Sequence, residues 1–209
     1  TRRRRPVLDE ARGIYMWDTE GRRYVDAASG AIVSNIGHSN PAVIEAMRRQ
    51  LERAAYGLRM QFESEASETL ATRIAGLCPP GLDRVFFSSG GSEAVETAIK
   101  LARSHALARG EPQRWKLISR HPSYHGMTLG ALGLTGYAPM TAPFAPMLVE
   151  SAKVPAPRAY LDGLDPADPA TGRHYADMLE ERILVEGPET VLAFVVEPVG
   201  GASTGALVP

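Results

Sequence analysis

The sequence predicts an α/β fold: a mainly parallel sheet covered by helices, preceded by a small amino-terminal α+β segment. Three observations carry that expectation. Compact apolar runs at residues 83–87, 115–119 and 193–196 alternate with helix-period stretches, as in strands joined by helical crossovers. The first run leads through a glycine-rich loop straight into a helix pattern. Hairpin patterning, by contrast, is confined to the first 27 residues. The expected division is an amino-terminal segment and connection over residues 1–57, then a larger ligand-binding unit over residues 58–209.

Residues 14–17 and 22–25 flank Asp18-Thr19-Glu20-Gly21, which predicts a β-hairpin around a glycine-containing turn. Ser39-Asn40-Pro41 supplies a cap and a first-turn proline. Val43, Ala46, Met47 and Leu51 then recur at helical spacing, so a helix runs to about Ala54. A second helix covers about Ser64 to Leu77, with Ala66, Leu70, Ile74 and Leu77 as its apolar stripe, and Pro79-Pro80-Gly81 stops it. Asp83 to Phe87 reads as a short buried strand, Ser88 to Ser92 as a loop and Glu93 to Leu107 as a helix. Trp115 to Ser119 is the next strand, Tyr175 to Glu186 a helix, and Ala193 to Val196 the last strand. Ala138 to Gly172, rich in Pro, Ala and Asp, reads as a long surface excursion with little regular structure.

Composition narrows the function classes. With 44% hydrophobic and 22% charged residues the chain is an ordinary globular sequence. A formal net charge of -1 gives no field that favours nucleic acid or an anionic membrane. The one basic run, Arg2 to Arg5, reads as a solvated terminus rather than a binding arm. A single cysteine, Cys78, excludes an internal disulfide, leaves no Cys/His cluster at metal-ligand spacing and fits a reducing cytoplasm. No apolar run approaches the roughly 20 residues of a membrane span, and no apolar signal region follows the basic start.

Three places concentrate chemistry. Ser88 to Ser92 lies between a strand and a helix start, where backbone N–H groups and the positive end of the helix dipole face outward. Gly90 and Gly91 let a phosphate approach, and the Ser92 hydroxyl adds a donor; the same residues also suit a tight turn with a capping serine. The loop has neither the Gly-Lys-Ser/Thr ending of a P-loop nor the spacing of a dinucleotide fold. Tyr124, His125 and Gly126 follow a predicted strand, at the edge where open α/β sheets bind ligands. An aromatic beside a glycine suits a flat ligand, or equally an aromatic packed under a turn. Glu197 ends the last apolar run and Pro198 stops the strand, leaving a carboxylate that either joins the pocket or is solvated.

Together these pieces resemble the class III, or omega-type, aminotransferases, which are fold-type I pyridoxal-phosphate enzymes. Four stretches carry the resemblance in order: residues 13–26 continuing through Ser29-Gly30 to 35–41; residues 87–96 running into 98–103; residues 123–131; and residues 194–205. The resemblance implies that residues 1–57 belong to the small domain and its connection, and 58–209 to the first part of the large cofactor domain. It implies that Gly90, Gly91 and Ser92 bind the phosphate of pyridoxal 5'-phosphate, that Tyr124 stacks on its ring with His125 close by, and that Glu197 orders the polar network around it. It also implies amine and oxo-acid substrates and a homodimer with shared active sites, to which residues near Ser29 to Ser34 and Arg59 to Phe62 contribute.

Two departures qualify the resemblance. Several subgroups have a second glutamate five residues beyond the first; here that position is Ala202, so their glutamate gate is not expected. The family's ring-nitrogen aspartate and Schiff-base lysine follow the motif containing Glu197, and Lys100, Lys116 and Lys153 match no catalytic position. No catalytic residue is therefore assigned within these 209 residues, and the chain alone is expected to be inactive. Two alternatives stay open: another reaction of the same superfamily, such as an aminomutase, racemase or decarboxylase, or a shortened, non-catalytic phosphate-binding module.

Overall fold

The computed structural model describes residues 5–58 and 60–201. Arg2 to Arg4, Arg59, Ala202 and the end of the fourth motif, residues 203–205, lie outside the described residues. Contacts divide the chain into two compact units, Thr1–Val85 and Phe86–Pro209. The division expected at residue 57 falls inside the first of these.

In the first unit, β1 (Leu8–Arg12), β2 (Tyr15–Asp18) and β3 (Arg23–Val25) form an antiparallel sheet in that order. The predicted hairpin is β2–β3; β1 is an addition the sequence pattern did not signal. Asp18 organises the turn. It is 3% exposed, and its carboxylate accepts from the Glu20 and Arg22 amides, from Arg22 Nε and from the Tyr24 hydroxyl. These donors, Tyr24 foremost, hold its pKa at about 2. Beyond a four-residue turn, α1 (Ser29–Ile32), in which Ile32 takes a φ of 63°, come α2 (Pro41–Arg53) and α3 (Glu65–Ala75). Both long helices start where the sequence predicts. Asn40 accepts from the Ala42 and Val43 amides, and Ser64 accepts from the Ser67 amide.

A correction falls at the boundary between the two units. Residues 83–87, expected as a buried strand, belong to neither sheet among the described residues, and Phe86 and Phe87 are 63% and 40% exposed. A strand is defined by its neighbour, which an apolar run alone does not reveal. After it come α4 (Gly91–Ala108), β4 (Lys116–His121), α5 (Leu129–Leu134), α6 (Ala138–Thr141), β5 (Ala152–Pro155), α7 (Pro169–Glu186) and β6 (Val191–Val195). The sheet order is β5-β4-β6, and both pairings are parallel. Helical crossovers join the strands, as the predicted fold class requires.

The core follows from that order. Ile118, Val154 and Val191, one from each strand, form a buried cluster, and Leu179 and Ile183 of α7 pack on it together with Phe194. The surface excursion expected over residues 138–172 is more regular than its composition suggested. It contains α6, a 3-10 turn at Ala142–Met147 and the edge strand β5. Backbone pairing to β4 supplies the order that local sequence does not. The short helix α5, also unanticipated, is buried at Ala131, Leu132, Gly133 and Leu134. A Cβ on Gly133 would collide with the Val149 carbonyl.

Candidate functional site

The site is built from the carboxyl ends of β4 and β6 and the start of α4, all within the second unit. The start of α4 differs from those of α2, α3 and α7. Asn40, Ser64 and Asp168 each place a side-chain oxygen on a first-turn amide, whereas Gly90 at the N-cap has no side chain to do so. First-turn amides without such an acceptor keep their capacity to bind an anion. Gly90 has an extended φ of -169°, and a Cβ on Gly91 would meet nothing within 4 Å. Among the described residues no neighbour demands glycine at 91, so the open space there is room for something else to approach.

Ser92, in the same turn, is already half engaged. Its Oγ accepts from the Met127 amide at 2.9 Å, which leaves its own hydrogen free to donate. Gly126 makes this approach possible. It takes a φ of 141°, and a Cβ there would lie 2.6 Å from Ser92 Oγ and 2.8 Å from Ala131 Cβ.

The segment from Ser123 to Gly136 closes on itself. Ser123 and Gly136 form an antiparallel bridge, the Gly136 amide also donates to Ser123 Oγ at 3.1 Å, and the His125 amide donates to Thr135 Oγ1 at 3.0 Å. Tyr124 is half-buried at the head of this loop, and its amide donates to Glu197 Oε2 at 2.9 Å. The second Glu197 oxygen accepts from the Gly201 amide at 3.5 Å. Glu197 is therefore a clamp between the ends of β4 and β6. Arg120 of β4 adds to it, donating to the Glu197 carbonyl at 3.4 Å with its guanidinium 5.7 Å from the Phe194 ring centroid.

His125 is the unsatisfied member. It is 8% exposed, and its Nε2 is buried without a hydrogen-bond partner among the described residues. Burial pushes its pKa below the ordinary value; the Glu197 carboxylate opposes that shift and the Lys153 ammonium adds to it. A buried, neutral imidazole nitrogen with nothing to bind suits a polar group arriving from outside the described chain. All six candidate residues, Gly90, Gly91, Ser92, Tyr124, His125 and Glu197, thus fall along one connected set of contacts. Sequence reasoning passed over Ser123, Thr135 and Glu96, the residues that tie the loop down. Only Glu96 had a usable signal, lying four residues after Ser92 on one helix face.

Two of the three lysines are engaged in hydrogen bonds. Lys116 Nζ donates to the Glu186 carbonyl at 2.6 Å and pairs with its carboxylate at 3.3 Å. Lys153 Nζ donates to the carbonyls of Gly133 and Leu134 and to Ser151 Oγ, and burial lowers its pKa to about 8. Lys100 is exposed on α4. Among the described residues no cluster of His, Cys, Asp or Glu could hold a metal ion, and no helix is long and apolar enough to cross a membrane.

An uncapped helix start beside a closed aromatic-bearing loop at the carboxyl edge of a parallel sheet is an arrangement that ligand sites of α/β proteins share. Comparison with known proteins gives the family. The class III aminotransferase model matches residues 2–209, and the chain belongs to that family. It is 39% identical to a probable aminotransferase of Mycobacterium tuberculosis over 204 residues, covering 98% of this chain and 43% of that protein. It is 33% identical to the putrescine–pyruvate aminotransferase of Pseudomonas aeruginosa, covering 97% of this chain and 44% of that one.

Among solved structures, the thermostable (S)-enantioselective omega-transaminase from Thermomicrobium roseum superposes with a TM-score of 0.93 at 40% identity, covering 100% of this chain and 46% of that one. The omega transaminase from Pseudomonas jessenii, in complex with PMP, gives 0.91 at 33% identity, covering 98% and 46%. The chain therefore spans about half the length of the relatives it matches. The family is dependent on pyridoxal phosphate, and the residues at the start of α4 and around His125 fit that cofactor's anion and polar ring substituents.

Proposed function

We propose that this chain supplies the phosphate cradle and ring-stacking wall of a pyridoxal-phosphate-dependent aminotransferase that moves an amino group from an amine or amino acid to an oxo acid. The observation that carries the reading is the start of α4, which has no side-chain cap bond, set against the Tyr124–Gly126 loop, with His125 Nε2 unpartnered among the described residues. Backbone amides of Gly91 and Ser92 and the Ser92 hydroxyl would hold the phosphate, and Tyr124 would cover one face of the ring. His125, kept neutral by burial, would offer Nε2 to a polar partner, while Glu197 orients the Tyr124 backbone without touching the reacting atoms. The bound cofactor supplies an electron sink for the bond broken next to the transferred nitrogen.

The Schiff-base lysine is not assigned to these residues, and the commitments of Lys116 and Lys153 support that reading. Exposed apolar side chains at Ile32, Val33, Met60 and Phe62 support the further reading of a homodimer with shared sites, and a lone Cys78 is compatible with the cytoplasm. The test is visible absorption of the full-length protein with cofactor, before and after candidate amines. A cofactor band that bleaches with an amine and returns with an oxo acid is expected; a protein that binds no cofactor would sink the proposal. Gly91→Val should weaken cofactor binding about tenfold or more by filling the open approach.

A further inference from the structure

The glycine loop and the Tyr124–Gly126 wall meet along α4, and a carboxylate that the functional reading does not use locks them together. Glu96 lies one helical turn beyond Ser92, on the same face. Its Oε1 accepts from the Thr128 hydroxyl at 2.7 Å and from the Ala131 amide at 3.3 Å. Thr128 is the N-cap of α5 and makes no side-chain cap bond of its own, so another helix supplies that cap. Gly130 leaves room for it, since a Cβ there would come within 2.5 and 2.6 Å of the two Glu96 oxygens. At the opposite end of α5, the Lys153 ammonium of β5 donates to the Gly133 and Leu134 carbonyls at 2.9 and 3.1 Å. The helix thus has an anion at its start and a cation at its end, the arrangement its dipole favours.

Six residues, two of them glycine, do not hold a helix by propensity. What fixes α5 reaches the site directly. Thr135, immediately after α5, accepts the His125 amide, and Ala131 packs on Gly126, which packs on Ser92. The position of α5 is therefore passed to both halves of the site.

We propose that Glu96 is a positioning residue: by capping α5 from α4 it sets the spacing between the glycine loop and the Tyr124–His125 wall. A single ligand carrying both an anion and a flat ring can then engage the two at once. This rests on reading the site as a cofactor cradle.

The test uses the full-length protein and measures affinity for pyridoxal phosphate, affinity for inorganic phosphate alone, and hydrogen exchange of the residue 127–131 amides. Glu96→Ala should lose about tenfold in pyridoxal phosphate affinity while phosphate affinity stays within about twofold, and its residue 127–131 amides should exchange faster. Glu96→Gln, whose amide oxygen still accepts both donors, should remain within about threefold of wild type. Unchanged binding in Glu96→Ala, an equal loss for both ligands, or a Glu96→Gln loss as large as that of alanine would overturn the assignment. Where Glu96→Ala does not fold, Thr128→Val removes one donor only and should show a smaller loss in the same direction; wild-type affinity in that variant would also overturn it. A wild-type protein that binds phosphate but not pyridoxal phosphate would instead remove the functional reading, and the inference with it.

Discussion

The two units hold themselves together by different means. Among the described residues every buried apolar side chain lies in the second unit, where three strands and a helix close over Ile118. The buried side chain of the first unit is a carboxylate, Asp18, and no residue of α2 or α3 is buried. One unit rests on packing and the other on hydrogen bonds and capped helices. Area removed from water is the stronger source of stability, and only the second unit has a cluster of buried apolar side chains among the described residues.

That contrast can be tested from its strong end. Ile118→Ala removes a fully buried side chain at the centre of the sheet and should cost about 2–5 kcal/mol in urea unfolding. A smaller effect is expected at Asp18, where the folded pKa lies below the ordinary 3.8. The depressed value means that its stabilisation is complete above 3.8 and lost as pH falls through about 2. Asp18→Asn should abolish that acid dependence, read from urea midpoints against pH by Trp17 fluorescence in a Trp115→Phe background. An unchanged acid profile would show that the Asp18 cluster does not hold the first unit. The smallest effect belongs to Met47→Ala on the exposed face of α2, expected within about 0.5 kcal/mol in this chain. A loss comparable with that of Ile118 would break the contrast by showing that something covers the face of α2.

How legible each part was follows the same division between local and distant causes. Asn40 and Ser64 announce α2 and α3 because a cap acts on its own helix, and α4, β4 and β6 are long or apolar enough to show their period. The fold class was readable for that reason. The helix α5 was not, because Leu129-Gly-Ala-Leu-Gly-Leu134 has too little propensity and owes its form to Glu96, Lys153 and burial. Nor was β5, four residues in a proline- and alanine-rich stretch that become a strand only by pairing with β4. Residues 83–87 show the reverse error, an apolar run with strand composition that joins neither sheet. The roles within the site were likewise hidden. Nothing in the sequence says that Glu197 would spend both oxygens on the Tyr124 and Gly201 amides.

The Tyr124–Glu197 bond also bears on how the protein comes into being. Its partners are 73 residues apart, while Ser92 and Met127 are separated by 35. On a ribosome the glycine loop and the aromatic loop can meet as soon as residue 136 has emerged. The carboxylate that fixes the tyrosine backbone arrives only with β6, after α7 has crossed back and the second parallel pairing has closed. Parallel pairings of such span are slow steps in folding. The Tyr124 backbone is therefore fixed later than the Ser92–Met127 contact, in the step that docks β6 against β4.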